Sequence, residues 1–211
     1  MIPVIGIDIG QKREPTAIAV AEIDYRPPAD PARHREPDES HYVVRHLERL
    51  DLGTRYPEVA GRLGEICQGV AGRGRREPVV FADATGLGDP VIEVLRARAP
   101  LAHRIWSVHF NHGDRRLEDR DQRIVTLGKA YLVSRLQTLL QGGRLHLPRT
   151  GEADRLAREL LDFEIRVTED ANERYGAFRV GSQDDLVTAL GLATQKEPSV
   201  SVYPGRVSYA L

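Results

Sequence analysis

Residues 4–24 read VIGIDIGQKREPTAIAVAEID. Two apolar, β-branched runs flank a short charged linker, which is the pattern of strand, turn and antiparallel strand. Gly10 closes the first run. Asp8 is out of place in it, because a carboxylate within an apolar strand is costly unless something compensates its charge. Either a hydrogen bond from backbone amides near Gly10 holds it, or a cation lies beside it.

Working outward, residues 41–52 (HYVVRHLERLDL) read as a third strand. Residues 3–51 therefore form an antiparallel meander. The proline-rich excursion within it, residues 26–40, is expected to be a mobile loop. Beyond it the pattern alternates. Val59, Leu63, Ile66 and Val70 recur at helical spacing. Residues 77–100 read as strand, glycine-rich turn and helix, and residues 103–110 as a strand. Residues 111–121 read as a polar loop. Residues 122–143 read as one long helix ended by Gly142 and Gly143. Residues 152–167 read as a helix entering a strand, which pairs back through residues 175–180 across a turn near Asn172. Residues 182–195 are the last helix, and 197–211 a tail. This order predicts an α/β fold: a ribonuclease H-like mixed sheet, its first three strands antiparallel and the rest parallel, flanked by helices.

The chain has 211 residues, 41% of them hydrophobic, and a net charge of -1, so one core is expected and no global basic excess marks a nucleic-acid binder. Cys67 is the single cysteine. It allows no disulfide within the chain and no cysteine zinc site, which fits a reducing compartment. No run is long enough for a membrane span, and no secretory signal is visible, so a cytoplasmic location is expected. There is no phosphate-loop motif and no nucleophile-elbow serine.

The acidic residues carry the chemistry. Asp8 lies in the first strand, Asp83 ends the strand PVVFAD, and Asp184 and Asp185 open the last helix. Each has an ordinary structural reading. Asp83 suits the start of a turn. Ser182 with Asp185 fits a capping box, and acids favour helix starts. Taken together, the ends of neighbouring strands and a helix start are where α/β sites assemble. Several carboxylates crowd together only with cations between them. Oxygen-only ligands suit Mg²⁺ or Mn²⁺. Two such ions would serve phosphodiester hydrolysis, with water as nucleophile. Lys129 shares a helical stripe with Val125, Leu132 and Leu136, so it either snorkels or meets an anion. Arg115, Arg116, Arg120 and Arg123 are either a solvated face or a strip for DNA phosphates. His109 and His112 have metal-like spacing but no third ligand, so no zinc site is read there.

In chain order, GIDIG…TAIAV, VVFADATGLGDPVIEVL, GKAYLVSRLQTLLQGGRLHLP, ELLDFEIRV and SQDDLVTALGLA resemble the nuclease domain of phage terminase large subunits, the DNA-packaging motors. The resemblance covers nearly the whole chain. It implies a ribonuclease H-like fold and metal-dependent cleavage of double-stranded DNA during genome packaging. Asp8, Asp83, Asp184 and Asp185 match the family's acidic metal ligands, with Asp8 bridging two ions, Asp83 holding one, and Asp184 or Asp185 the other. Lys129 matches a basic residue of the motif. The chain is read as one nuclease domain, 1–211, without the ATPase domain such subunits usually carry, so the motor function is not carried over. The implied partners are double-stranded DNA and a separate ATPase or portal component, in the host cytoplasm if the chain is phage-encoded. Two other readings stand: an actin-like or sugar-kinase-type ATPase fragment, since GIDIG resembles a first phosphate loop, and a non-catalytic DNA-packaging module. The linker QKREP lacks the threonine and serine that would hold a phosphate.

Overall fold

The computed structural model describes residues 1–10, 14–34, 36–74, 76–86, 89–98, 102–162, 164–167, 173–176, 184–196, 199–203 and 206–210. β1 (Ile2–Asp8), β2 (Ala17–Arg26) and β3 (Glu39–Arg49) form the expected meander. α1 (Tyr56–Gly74) follows, then β4 (Val79–Asp83), α2 (Asp89–Arg98) and β5 (Ile105–Asn111). Next come β6 (Arg116–Asp119), β7 (Ile124–Gly128), α3 (Lys129–Gln141), β8 (Leu145–His146) and α4 (Gly151–Asp162). β9 (Glu164–Val167) and β10 (Glu173–Gly176) pair as a hairpin whose returning strand begins two residues before the expected 175–180, while Asn172 and residues 177–180 lie outside the described residues. α5 (Asp185–Ala193) and a second hairpin, β11 (Ser199–Tyr203) with β12 (Arg206–Ala210), complete the order.

The main sheet has eight strands in the order β6-β7-β5-β4-β1-β2-β3-β8. β1, β4, β5 and β7 run parallel, and β8 runs parallel to β3. Alternation along β1 divides the core. Val4 faces a cluster with α3, α4 and α5, whereas Ile5 and Ile7 face α1 and α2. Gly6 and Asp8 share the face of Val4. A β-bulge opposite Val20 and Ala21 leaves Arg45 of β3 without a register partner. The bulge changes the strand's parity. Tyr42 and Val44 face the α5 side before it, and Leu47 faces that side after it.

Three expectations are corrected. Residues 122–143 are not one helix. Ile124–Gly128 form β7, and the helix starts at Lys129. The β-branched run Ile124, Val125, Thr126 favours a strand, and pairing with β5 secures it. Val125 is thus a strand residue, and Lys129 opens α3 rather than sitting in its middle. The polar loop 111–121 contains β6, which pairs with β7 at the sheet edge. The tail 197–211 holds the β11–β12 hairpin. Within residues 26–40, β2 and β3 extend inward and a 3₁₀ turn spans Pro31–Arg33. The Ala32 amide donates to Asp30 Oδ1 at 2.9 Å there, and Arg33 pairs with Glu36 at 2.7 Å. Among the described residues, no helix is long and apolar enough to cross a membrane.

Candidate metal and catalytic centre

Asp8 is the last residue of β1 and Asp83 the last of β4. The two strands are parallel neighbours with Ile7 opposite Ala82, so the two carboxylates leave adjacent strand ends side by side. Asp83 shares its parity with Phe81, which faces the α5 side, as Asp8 does with Val4. α5 packs across β1, β2 and β4 on that same face. Its approach depends on Gly6. A Cβ there would lie 2.0 Å from the Ala189 carbonyl oxygen and 2.4 Å from the Ala193 nitrogen. With no side chain at residue 6, the helix lies directly on the strand, and Asp184 and Asp185 come beside Asp8.

The charges register this convergence. Burial pushes the Asp8 carboxyl well above its ordinary range, and the charges of Asp83, Asp185 and Asp184 push it further. Lys129 pulls it down. Burial also raises Asp83, against hydrogen bonds from Thr85 and the charges of Lys129 and His109. Burial pushes Asp185 up to about 7, opposed by Arg49 and reinforced by Glu159, Asp184 and Glu14. The expected site residues Asp8, Asp83, Asp184, Asp185 and Lys129 therefore share one electrostatic neighbourhood.

Local contacts sort the alternatives left open by the sequence. The Gly10 amide donates to Thr16 Oγ1 at 3.0 Å. It is not the amide that satisfies Asp8. Asp83 does start a turn: the Thr85 amide donates to its Oδ1 at 2.7 Å, and Gly86 completes the turn at φ 75. The Phe110 amide donates to the Thr85 hydroxyl at 2.7 Å, tying the turn to β5. Lys129 Nζ lies 5.6 Å from the Phe110 ring centroid, a cation–π contact that parks the ammonium beside the acids. Ser182, and with it the capping box, lies outside the described residues. Arg116 and Arg120 both pair with Glu118, at 2.6 and 2.9 Å. Arg123 donates to the His103 carbonyl at 3.0 Å. Three of the four arginines once eligible for a phosphate strip are thus engaged within the protein.

Two residues escaped the sequence reading. Glu159 of α4 is 7% exposed and Arg49 of β3 bonds it through Nη2. Arg49 Nε lies 3.4 Å from Asp185 Oδ2. A signal for Glu159 was available. It falls on the apolar stripe of Ala153, Leu156 and Leu160, where a carboxylate needs a partner. No comparable signal marks Arg49, because the bulge in β3 decides which face it takes.

The donor set fits a divalent cation. All its candidate ligands are carboxylates, and among the described residues the buried Asp185 Oδ2 has no hydrogen-bond partner, Arg49 Nε standing 3.4 Å away. Among the described residues, no three His, Cys, Asp or Glu side chains already converge tightly enough to hold an ion.

No protein-family model matches the sequence, and no curated protein matches it. Solved structures do match its fold. The large terminase nuclease from thermophilic phage G20c, with bound magnesium, aligns over 93% of this chain and 82% of its own, at 23% identity and a TM-score of 0.63. The large terminase nuclease domain from bacteriophage SPP1, with bound Mn, aligns over 92% and 85%, at 14% identity and 0.54. The human cytomegalovirus terminase nuclease domain aligns over 92% and 82%, at 11% identity and 0.56. The chain has the ribonuclease H-like mixed sheet of these large terminase nuclease domains, as its motifs led one to expect.

Proposed function

We propose that this chain is a metal-dependent endonuclease that hydrolyses phosphodiester bonds of double-stranded DNA, as the terminase nuclease does in phage genome packaging. The observation that supports this reading is that Asp8 and Asp83 end adjacent parallel strands, with α5 packed across β1 and β4 on the same face. Asp8, Asp83 and the α5 acids are the residues that would hold Mg²⁺ or Mn²⁺. Two such ions would be held there, Asp8 contributing to both, Asp83 to one and Asp184 or Asp185 to the other. When bound, the cations supply the positive charge that polarises a phosphodiester and acidifies water.

The chain's own residues supply the rest. Asp8 and Asp83, on rigid strand ends, fix where that charge sits. Thr85 and Phe110 hold the Asp83 turn in place. Lys129 opens α3 beside the acids, where its ammonium would swing from the Phe110 ring to the anionic scissile phosphate. No covalent intermediate on the protein is required.

The neighbours solved with magnesium and Mn support the choice of ion. The actin-like reading is not favoured, because the β1–β2 linker QKREP offers no threonine or serine to a phosphate. Partners beyond DNA, a separate ATPase or a portal component, are part of the same proposal. Nicking of supercoiled plasmid with Mn²⁺, comparing wild type with Asp8→Ala, tests it. Loss of nicking in the variant is expected. Equal nicking by both removes the mechanism, and binding without nicking by wild type favours the non-catalytic module.

A further inference from the structure

β7 lies between β5 and β6 in the sheet, so the connection from Asn111 to Arg116 has to cross the end of β7. It crosses at Gly128, the last residue of β7, which stands opposite Asn111 in the register. The contact there is backbone on backbone. The Gly128 amide donates to the Arg115 carbonyl at 2.8 Å. A Cβ on Gly128 would lie 2.1 Å from the Gly113 carbonyl oxygen and 3.0 Å from the Asp114 nitrogen. Gly113 turns at φ 126, a conformation that suits glycine, and nothing lies within 4 Å of where its own Cβ would stand. Two glycines thus close residues 112–115 onto the start of α3. Gly128 is the N-cap of that helix and has no side chain to cap it with.

The next residue is Lys129. Its ammonium rests 5.6 Å from the Phe110 ring centroid, at the stem of the same loop. The Phe110 amide donates to the Thr85 hydroxyl at 2.7 Å, and the Thr85 amide donates to Asp83 Oδ1 at 2.7 Å. A continuous path of contacts therefore runs from the Asp83 turn, through Phe110 and the loop, to the residue that carries the ammonium.

We propose that the β5–β6 connection, closed on Gly128 by Gly113, is a positioning element that sets where Lys129 presents its ammonium to the scissile phosphate and ties that placement to the Asp83 turn. The inference rests on the nuclease reading above, and it adds residues that touch neither ion nor phosphate.

Gly128→Ala drives the loop off the start of α3, whereas Gly113→Ala strains the loop without entering occupied space. Gly128→Ala should lower nicking of supercoiled plasmid by roughly 10–100-fold, and Gly113→Ala by at least about fivefold, because a small misplacement of a reacting group carries losses of that size. Calorimetric Mn²⁺ affinity of both variants should stay within about threefold of wild type, since no candidate ligand is touched. In a Lys129→Ala background neither change should lower nicking further. Gly143→Ala puts comparable backbone strain, at φ 62, just beyond the other end of α3, where nothing lies within 4 Å, and should nick as wild type does. Where Gly128→Ala does not fold, Gly113→Ala carries the comparison. The proposal is overturned by wild-type nicking in the folded glycine variants, by an undiminished further loss in the Lys129→Ala background, by a fall in Mn²⁺ affinity that matches the fall in nicking, or by an equal loss in Gly143→Ala. If Asp8→Ala nicks as well as wild type, the nuclease reading falls and takes this inference with it. If Asp8→Ala is inactive and both loop-glycine variants nick as wild type does, only the inference falls.

Discussion

Asp185→Asn should raise the stability of the metal-free protein, and raise it more as pH increases. The Asp185 carboxyl is pushed from its ordinary 3.8 to about 7, chiefly by burial. Its folded-state value lies above its unfolded one. Between pH 4 and 7 the folded chain therefore keeps a proton that the unfolded chain releases, and stability falls as pH rises through that window. From pH 5 to pH 8 the displacement corresponds to about 2–3 kcal/mol. Water at the site mouth screens part of it, leaving about 1–3 kcal/mol. For a chain of this size that is roughly 2–10 °C in Tm. The assay is thermal unfolding in chelator at pH 5 and pH 8, for wild type and variant. The informative quantity is the variant's advantage at pH 8 minus that at pH 5, because titrations elsewhere cancel. Excess Mn²⁺ should reverse the sign, since a cation favours the ionised carboxylate. An advantage that is the same at both pH values, or larger at pH 5, refutes the reasoning.

Three further outcomes are expected. Gly6→Ala should cost about 2–4 kcal/mol in urea unfolding, because its Cβ would collide with the α5 backbone at 2.0 Å; Gly61→Ala on α1, where nothing lies within 4 Å, should be neutral or stabilising. Lys129→Ala should lower plasmid nicking by roughly 10–100-fold yet leave calorimetric Mn²⁺ affinity unchanged or tighter, since removing its charge strips a competing cation from Asp8. Arg135→Ala should cost about 2–4 kcal/mol by the same urea assay, because Arg135 donates to the Thr194 carbonyl at 2.9 Å and to the Tyr42 hydroxyl at 2.7 Å, holding the far end of α5.

Much of this protein was legible in the order of its residues. The apolar, β-branched runs that end at Asp8 and Asp83 are local signals, readable without knowing what packs on either face. The meander, the alternating second half and the acidic strand ends were therefore readable from short stretches. The extent of the helix before Gly142 was not, because Ile124–Gly128 is apolar enough for either state and only pairing with β5 makes it a strand. That correction moves Lys129 from mid-helix to a helix start beside the acids.

What the tertiary structure alone decided is contact between residues far apart in the chain. The bulge in β3 turns Arg49 toward α4 and α5. The bare backbone at Gly6 lets α5 settle on β1. Glu159 then caps a helix that begins 26 residues later at Asp185. Side-chain type and spacing specify what a residue can do. Which partner it meets depends on strand parity and the closest approach of backbones, and these exist only once the layers have packed.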